Sequence, residues 1–200
     1  FERLKYVKNI EDLFISLTTE WNWNDKIVVD SNNKKISLYE DFEELKSFNF
    51  IERMMYWDTI NYLPNDILCK VDRASMSKSL ETRAPFLNEE VYEISSMLPL
   101  EMKIKKNNGK VILKDILKKY IPNHLIERPK QGFGIPLSSW LRADLKDWAE
   151  TLLDPKTIKN QGYLDNDIIQ KCWKEHKNGS FNFHNKLWPI LMFQSWMDLN

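Results

Sequence analysis

The chain has 200 residues, 42% hydrophobic and 29% charged, a balance that describes one soluble globular domain large enough to bury a core without staples. Lys plus Arg and Asp plus Glu both total 29, so overall charge gives no argument for a nucleic acid or an anionic membrane, and any charge-based function must be local. Cys69 and Cys172 lie far apart, and with His124, His176 and His184 they make no zinc spacing, so no metal site is expected and a reducing, cytoplasmic compartment fits best. No signal peptide opens the chain, and the longest apolar run, Leu187 to Phe193, is interrupted by Pro189 and far short of a membrane span. The start at Phe1 suggests a processed product or a piece of something longer.

In chain order, Ile10, Leu13, Phe14 and Leu17 behind a capping Asn9 predict a short amphipathic helix. Trp21 to Lys35 reads as an irregular connection in which Trp21 and Trp23 anchor to the core. A weak helix is expected over Leu38 to Ser47 and a strong, buried one over Asn49 to Tyr62. Leu63-Pro64-Asn65 should end it, with Asn65 capping a helix from Asp66 to about Lys78. In that helix Ile67, Leu68, Val71 and Ala74 form an apolar stripe, while Asp66, Lys70, Arg73 and Ser77 line up on another face. The charged stripe reads either as a solvated face laced by intrahelical pairs or as the polar wall of a site.

Pro85 biases Ala84 towards an extended backbone, so Ser79 to Asn88 is a bend in which Glu81 and Arg83 form a buried structural pair or serve a site. Asn88 caps a helix through Leu98, with Val91 and Ile94 inward, and Pro99 stops it. Residues 100–108 read as a brief extended piece, Asn108-Gly109 as a turn, and Lys110 to Tyr120 as an amphipathic helix, followed by one turn at Asn123 to Glu127. Beyond a loop at Arg128 to Pro136, Ser138 or Ser139 caps a helix to about Leu153, and Asp165 or Asn166 caps another to Lys177. The last, roughly His184 to Leu199, is a core helix with Pro189 in its first turn. The sum is eight or nine helices and hardly any strand, with His176 and His184 structural.

The loop Arg128-Pro129-Lys130-Gln131-Gly132-Phe133-Gly134-Ile135-Pro136 packs two glycines and two prolines into nine residues. A loop so built holds one lysine in place, and Lys130 offers a compact charge suited to a phosphate or to negative charge developing in a transition state. The plainer reading is a helix connector with a solvated lysine. Together with the charged stripe, the loop suggests a site for an anion and names no reaction.

Three blocks resemble the glutamine-hydrolysing asparagine synthetase family: Tyr62 to Met76 with its Leu63-Pro64-Asn65-Asp66-Ile67 and Lys70-Val71-Asp72-Arg73-Ala74-Ser75, Leu80-Glu81-Thr82-Arg83-Ala84-Pro85-Phe86-Leu87, and the Arg128 to Pro136 loop. The similarity runs from about residue 50 to the end. The resemblance implies a mostly α fold, the helical C-terminal half of an adenine-nucleotide alpha-hydrolase-like (ATP pyrophosphatase) synthetase domain, here without its nucleotide-binding sheet. It implies an enzyme using ATP and magnesium to activate a carboxylate as an acyl-adenylate that ammonia converts to an amide. The family's Ser-Gly-Gly-x-Asp-Ser loop, its Gly-Glu-Gly-x-Asp-Glu segment and its cysteine-led glutaminase domain are not in this sequence. The chain alone is therefore expected to be inactive and to bind no cofactor of its own. Its partners would be those other portions of the same protein and a small acid, with a homodimer compatible and no nucleic acid or membrane.

By the same resemblance, Lys130 is the active-site lysine that steadies charge on phosphate and carboxylate, Asp66 and Lys70 face the substrate, and Asp72, Arg73, Glu81, Arg83, Gly132 and Gly134 support the site. Two other readings stay open: a relative that amidates another acid, such as a sugar acid or a lactam precursor, and a non-catalytic helical interaction domain. A pure scaffold has no physical reason to keep Lys130 in its glycine loop. The missing half should leave an apolar face exposed, prone to self-association.

Overall fold

The computed structural model describes residues 7–22, 25–31, 44–129, 132 and 134–199. In chain order the helices are α1 (Ile10–Thr18), α2 (Phe50–Trp57), α3 (Cys69–Met76), α4 (Glu89–Met97), α5 (Leu100–Lys103), α6 (Val111–Leu117), α7 (Asn123–Ile126), α8 (Leu137–Arg142), α9 (Lys146–Leu152), α10 (Pro155–Gln161), α11 (Asn166–Lys177) and α12 (His184–Leu199). A two-stranded antiparallel hairpin, β1 (Ile104–Lys105) and β2 (Asn108–Gly109), is the sheet found among the described residues. The protein is thus mostly helical, as the resemblance implies. It divides into two compact units, one made of the chain before Leu45 and after Gly132, the other of Leu45–Gly132.

The first unit is built on one core. Leu141 from α8, Ala149 from α9, Ile158 from α10, Ile169 and Trp173 from α11, and Leu187 and Leu191 from α12 pack into a single buried cluster. Leu141, Ile158, Ile169, Leu187 and Leu191 are wholly inaccessible, which places α8, α11 and α12 in mutual contact. Trp21 lies against this cluster, its indole N–H donating to the Lys186 carbonyl at 2.9 Å while the Lys186 ammonium sits 4.6 Å above its ring and pairs with Asp25 at 2.8 Å. The expected anchoring role holds for Trp21, and Trp23 falls outside the described residues. The 25–31 segment is further held by a bridge between Val28 and Leu164.

Three expectations here are corrected. The helix expected over 138–153 is interrupted at Ala143, whose backbone (φ −127°, ψ −95°) leaves the helical region, so two helices stand where one was expected. A further helix, α10, lies where none was expected, with Asp154 accepting from the Thr157 N–H, Pro155 in its first turn and left-handed Gly162 at its end. Pro189 sits inside α12, beyond the first turn, because the helix already begins at His184. Asn9 and Asp165 cap as expected, Asn9 accepting from the Asp12 N–H at 2.8 Å and Asp165 from the Ile168 N–H at 2.9 Å, whereas α8 already begins at Leu137, so Ser138 and Ser139 lie inside it and neither caps it.

The second unit is held differently. Asn49 and Glu52 form a reciprocal capping box at the start of α2, each side chain accepting from the other's main-chain N–H. The chain does not stop at Pro64. It continues as a wide, π-type helical segment, Asp58–Leu68, that joins α2 directly to α3. A wider turn accommodates the proline ring, which in an α-helix would collide with the preceding turn's carbonyl. Asn65 accordingly caps nothing and donates to the Asn61 side chain at 3.1 Å. Downstream, Ala84 is extended and leads into a single 3-10 turn at Pro85–Leu87, the bend that was expected, and the Asn88 side chain accepts from Glu90 and Val91 as a cap. Asn108-Gly109 forms the second strand of the hairpin; Lys106, with positive φ, makes the turn.

Burial departs most from expectation in this unit. Of its described apolar side chains only Leu45 and Trp57 are buried, although α2 was expected to be a buried helix and Val91 and Ile94 were expected to face inward. Phe86, Ile94, Met97 and Tyr120 are all more than 60% exposed, at 66%, 61%, 77% and 77%. These helices carry the apolar periodicity of packed elements on faces that stay exposed among the described residues.

Candidate functional site

Lys130, with Gln131 and Phe133, lies outside the described residues; the structure bears on the loop through its two stems. The entry is α7, where Glu127 takes the Lys114 ammonium at 3.2 Å. At the exit the Pro136 carbonyl accepts from the Ser139 and Trp140 N–H groups and starts α8. Gly132 and Gly134 are exposed, a Cβ at either would meet no atom within 4 Å, and neither has the left-handed φ that demands glycine. Neither glycine is therefore required by the chain's own packing. Gly134→Ala is expected to leave the thermal midpoint unchanged or raise it slightly, a stiffer unfolded chain adding roughly 0.4–1 kcal/mol of stability. A lower midpoint would show that the backbone there is under a constraint.

Asp66 closes the wide segment and Lys70 opens α3, one helical turn apart, so the two meet as an ion pair at 3.1 Å. Both side chains are about half exposed or more, 64% for Lys70 and 49% for Asp66, so the pair adds only about 0.3–0.5 kcal/mol to the helix. Asp72 and Arg73 are exposed on α3, and Ser77 turns back to the Ala74 carbonyl, so the stripe does not continue as a ladder of pairs. Glu81 and Arg83 bond each other at 2.6 Å with both side chains largely in solvent, which removes the buried-pair reading. Among the described residues no three His, Cys, Asp or Glu side chains come together to hold a metal ion. Lys70 is already engaged by Asp66.

A polar network at the start of α8 was not anticipated from sequence. Arg142 donates from Nε to the His176 carbonyl and from Nη1 to Ser138 Oγ, both at 2.8 Å. Ser138 Oγ donates in turn to Asn182 Oδ1 at 2.8 Å, and His184 Nδ1 lies 2.8 Å from the same oxygen. These groups lie 34 and 44 residues apart in sequence, a separation local spacing rules do not reach. His176 itself is wholly buried, its ring stacked on Trp173 and its Nδ1 accepting the Phe183 N–H at 3.2 Å. Burial lowers its pKa to about 4, helped by the positive charges of Arg142 and His184 and opposed by a main-chain contact at Ser138. Both cysteines are free; Cys172 is buried, and burial pushes its thiol up.

The first unit also carries an apolar groove of about 380 Å³ between Trp21, Ile27, Tyr163, Pro189 and Phe193. None of the residues expected to touch substrate lines it. Among the described residues no helix is long and apolar enough to cross a membrane.

The asparagine synthase family model matches residues 2–198. Glutamine-hydrolysing asparagine synthetase 1 of Bacillus subtilis is 30% identical over 159 residues, covering 80% of this chain and 25% of its own length. A Mycobacterium tuberculosis protein named as a glutamine-hydrolysing asparagine synthetase is 35% identical over 157 residues, 78% of this chain and 24% of its own. An amidase, chyE, of Penicillium rubens is 24% identical over 149 residues, 68% of this chain and 22% of its own. No solved structure matches. The chain spans about a quarter of the length of the curated relatives it matches. Its helical architecture, its three sequence blocks in family order and a match from end to end show that this chain belongs to the asparagine synthase family, whose members of this kind are amidotransferase ligases.

Proposed function

We propose that the whole protein to which this chain belongs forms asparagine from aspartate, using ATP as co-substrate and ammonia released from glutamine, in the cytoplasm. In this reading ATP activates the aspartate side-chain carboxylate as an acyl-adenylate, and ammonia displaces AMP to give the amide. The single observation that carries it is the family match over residues 2–198, which includes the lysine loop. Lys130 steadies the charge that builds on phosphate and carboxylate, Asp66 and Lys70 stand on the substrate side, and Asp72, Arg73, Glu81, Arg83, Gly132 and Gly134 support them.

The 200-residue chain on its own is inactive in this reading, because the nucleotide-binding and glutaminase portions lie elsewhere in the protein. The exposed apolar side chains of the second unit support this: Phe86, Val91, Ile94, Met97 and Tyr120 are exposed among the described residues, and the rest of the synthetase domain would cover them. A second reading is favoured by the family's breadth. The match to a protein named as an amidase keeps open that the acid is not aspartate, a sugar acid or a lactam precursor being examples.

The test is turnover by the full-length protein with ATP, aspartate and either glutamine or ammonia. Asparagine, AMP and pyrophosphate in equal amounts are expected. Absence of aspartate turnover, with another carboxylic acid consumed, would move the substrate. Tight, specific ATP binding by the 200-residue chain alone would contradict its incompleteness.

A further inference from the structure

We propose that the outer face of α12 is where two copies of the protein meet, antiparallel about a two-fold axis at Met192, each copy seating its Trp196 in the other's apolar groove. α12 carries no charged side chain between Lys186 and Asp198, and a helix that is apolar all round is expected to be covered all round. One face is covered: Leu187, Ile190, Leu191 and Gln194 are buried in the first unit. Among the described residues the opposite face stays exposed. It presents Pro189, Met192, Trp196 and Leu199, with Trp196 at 57% and Leu199 at 82% exposure. Their spacing of three, four and three residues is that of a seam by which one helix packs along another.

The groove opens beside this seam, sharing Pro189 and Phe193 with it and walled by Trp21, Ile27 and Tyr163. Phe193 stacks on Trp196 and meets Tyr163 edge to face, each at 6.2 Å between ring centres, so the projecting indole and the receiving groove belong to one continuous surface. At about 380 Å³ the groove has room for one large aromatic side chain. A surface that holds both a projection and a recess of the same chemistry fits a rotated copy of itself. Sequence position then sets the pairing. Met192 lies midway between Lys186 and Asp198, and midway between Trp188 and Trp196. An antiparallel copy centred there brings Asp198 to the positive end of the other copy's α12 and Trp196 alongside its Pro189. A parallel copy would set Asp198 against Asp198 and lose that complementarity. Lys186 is already paired with Asp25, so charge sets the direction while apolar cover supplies the affinity. The even placement of charge and bulk about Met192 selects a second copy over another portion of the polypeptide, which needs no such symmetry.

The experiment measures the mass of the full-length protein by sedimentation across a concentration series, for the wild type, M192E, M192K and W196E, each checked for an unchanged thermal midpoint. Both positions are exposed, so these substitutions leave the core intact. The wild type is expected to be a dimer, and each variant to raise its dissociation constant at least roughly thirtyfold, the scale of losing an interface hot spot. Residue 192 meets itself at the axis, so mixing M192E with M192K should restore the dimer that neither forms alone. A wild-type monomer at every concentration, which would mean that another portion of the polypeptide covers this face, overturns the proposal. So does a dimer that M192E and W196E leave intact, or a mixture of M192E and M192K that stays monomeric.

Discussion

Lys130→Ala in the full-length protein is expected to lower the rate of amide formation by roughly a hundredfold or more, the scale of removing one preorganised charge stabiliser. The reasoning begins with charge. Activating a carboxylate with ATP brings two anions together, and negative charge builds between them on the way to the adenylate. A compact ammonium placed where that charge appears stabilises the transition state more than the separate substrates, so the loss should fall on kcat, with KM nearly unchanged. Lys130→Arg keeps the charge but spreads it over a larger planar fork, and is expected to recover only part of the rate. The stems of the loop bear on the interpretation. Gly132 and Gly134 are exposed and unconfined, so truncating the Lys130 side chain is expected to leave the core built on Leu141, Leu187 and Leu191 undisturbed. A K130A variant with wild-type thermal midpoint and wild-type rate would remove the lysine from the chemistry.

What the sequence disclosed, and what it did not, follows from the range of the forces involved. Caps are local, and Asn9, Asn49, Asn88 and Asp165 all act on N–H groups within three residues, so their helices could be read directly. The helix α10 was legible by the same logic, since Asp154, Pro155 and Gly162 mark its start and end, and was passed over. Pro64 misled because the rule that proline ends a helix assumes α geometry, and the chain adopted a wider turn through Asp58–Leu68 instead. Burial in the second unit was misjudged for another reason. Periodicity reports which face of a helix is apolar, whereas exposure depends on what lies against it, and Ile94 and Met97 stay exposed among the described residues. The Arg142 network was invisible because its partners are joined only by the tertiary fold. The chemistry of the candidate site was legible through the three blocks of family resemblance, whereas Asp66 with Lys70 and Glu81 with Arg83 form surface pairs whose spacing alone names no reaction.

Acidification should destabilise the first unit through His176, and the size can be given. Its pKa stands at about 4 in the folded chain, lowered from 6.5, chiefly by burial and further by the charges of Arg142 and His184. A group whose folded pKa is depressed binds fewer protons in the folded state than in the unfolded one throughout the interval between the two values. Stability is then fully present above about pH 6.5 and falls as the pH drops towards 4, at up to about 1.4 kcal/mol per pH unit. Between pH 7.5 and 4.5, before most carboxylates titrate, the loss from this one side chain is about 2.5 kcal/mol. The structure supplies the reason that the proton is refused. Nδ1 already accepts the Phe183 N–H, so a protonated ring would turn that acceptor into a donor facing a donor inside a buried core. His176→Gln keeps polarity and approximate size without titrating. Denaturant unfolding at the two pH values should therefore show the wild-type chain losing about 2.5 kcal/mol more than H176Q over the same interval. Parallel losses in the two proteins would mean that His176 takes up its proton equally well folded and unfolded, and that its burial does not govern the acid limit of this unit.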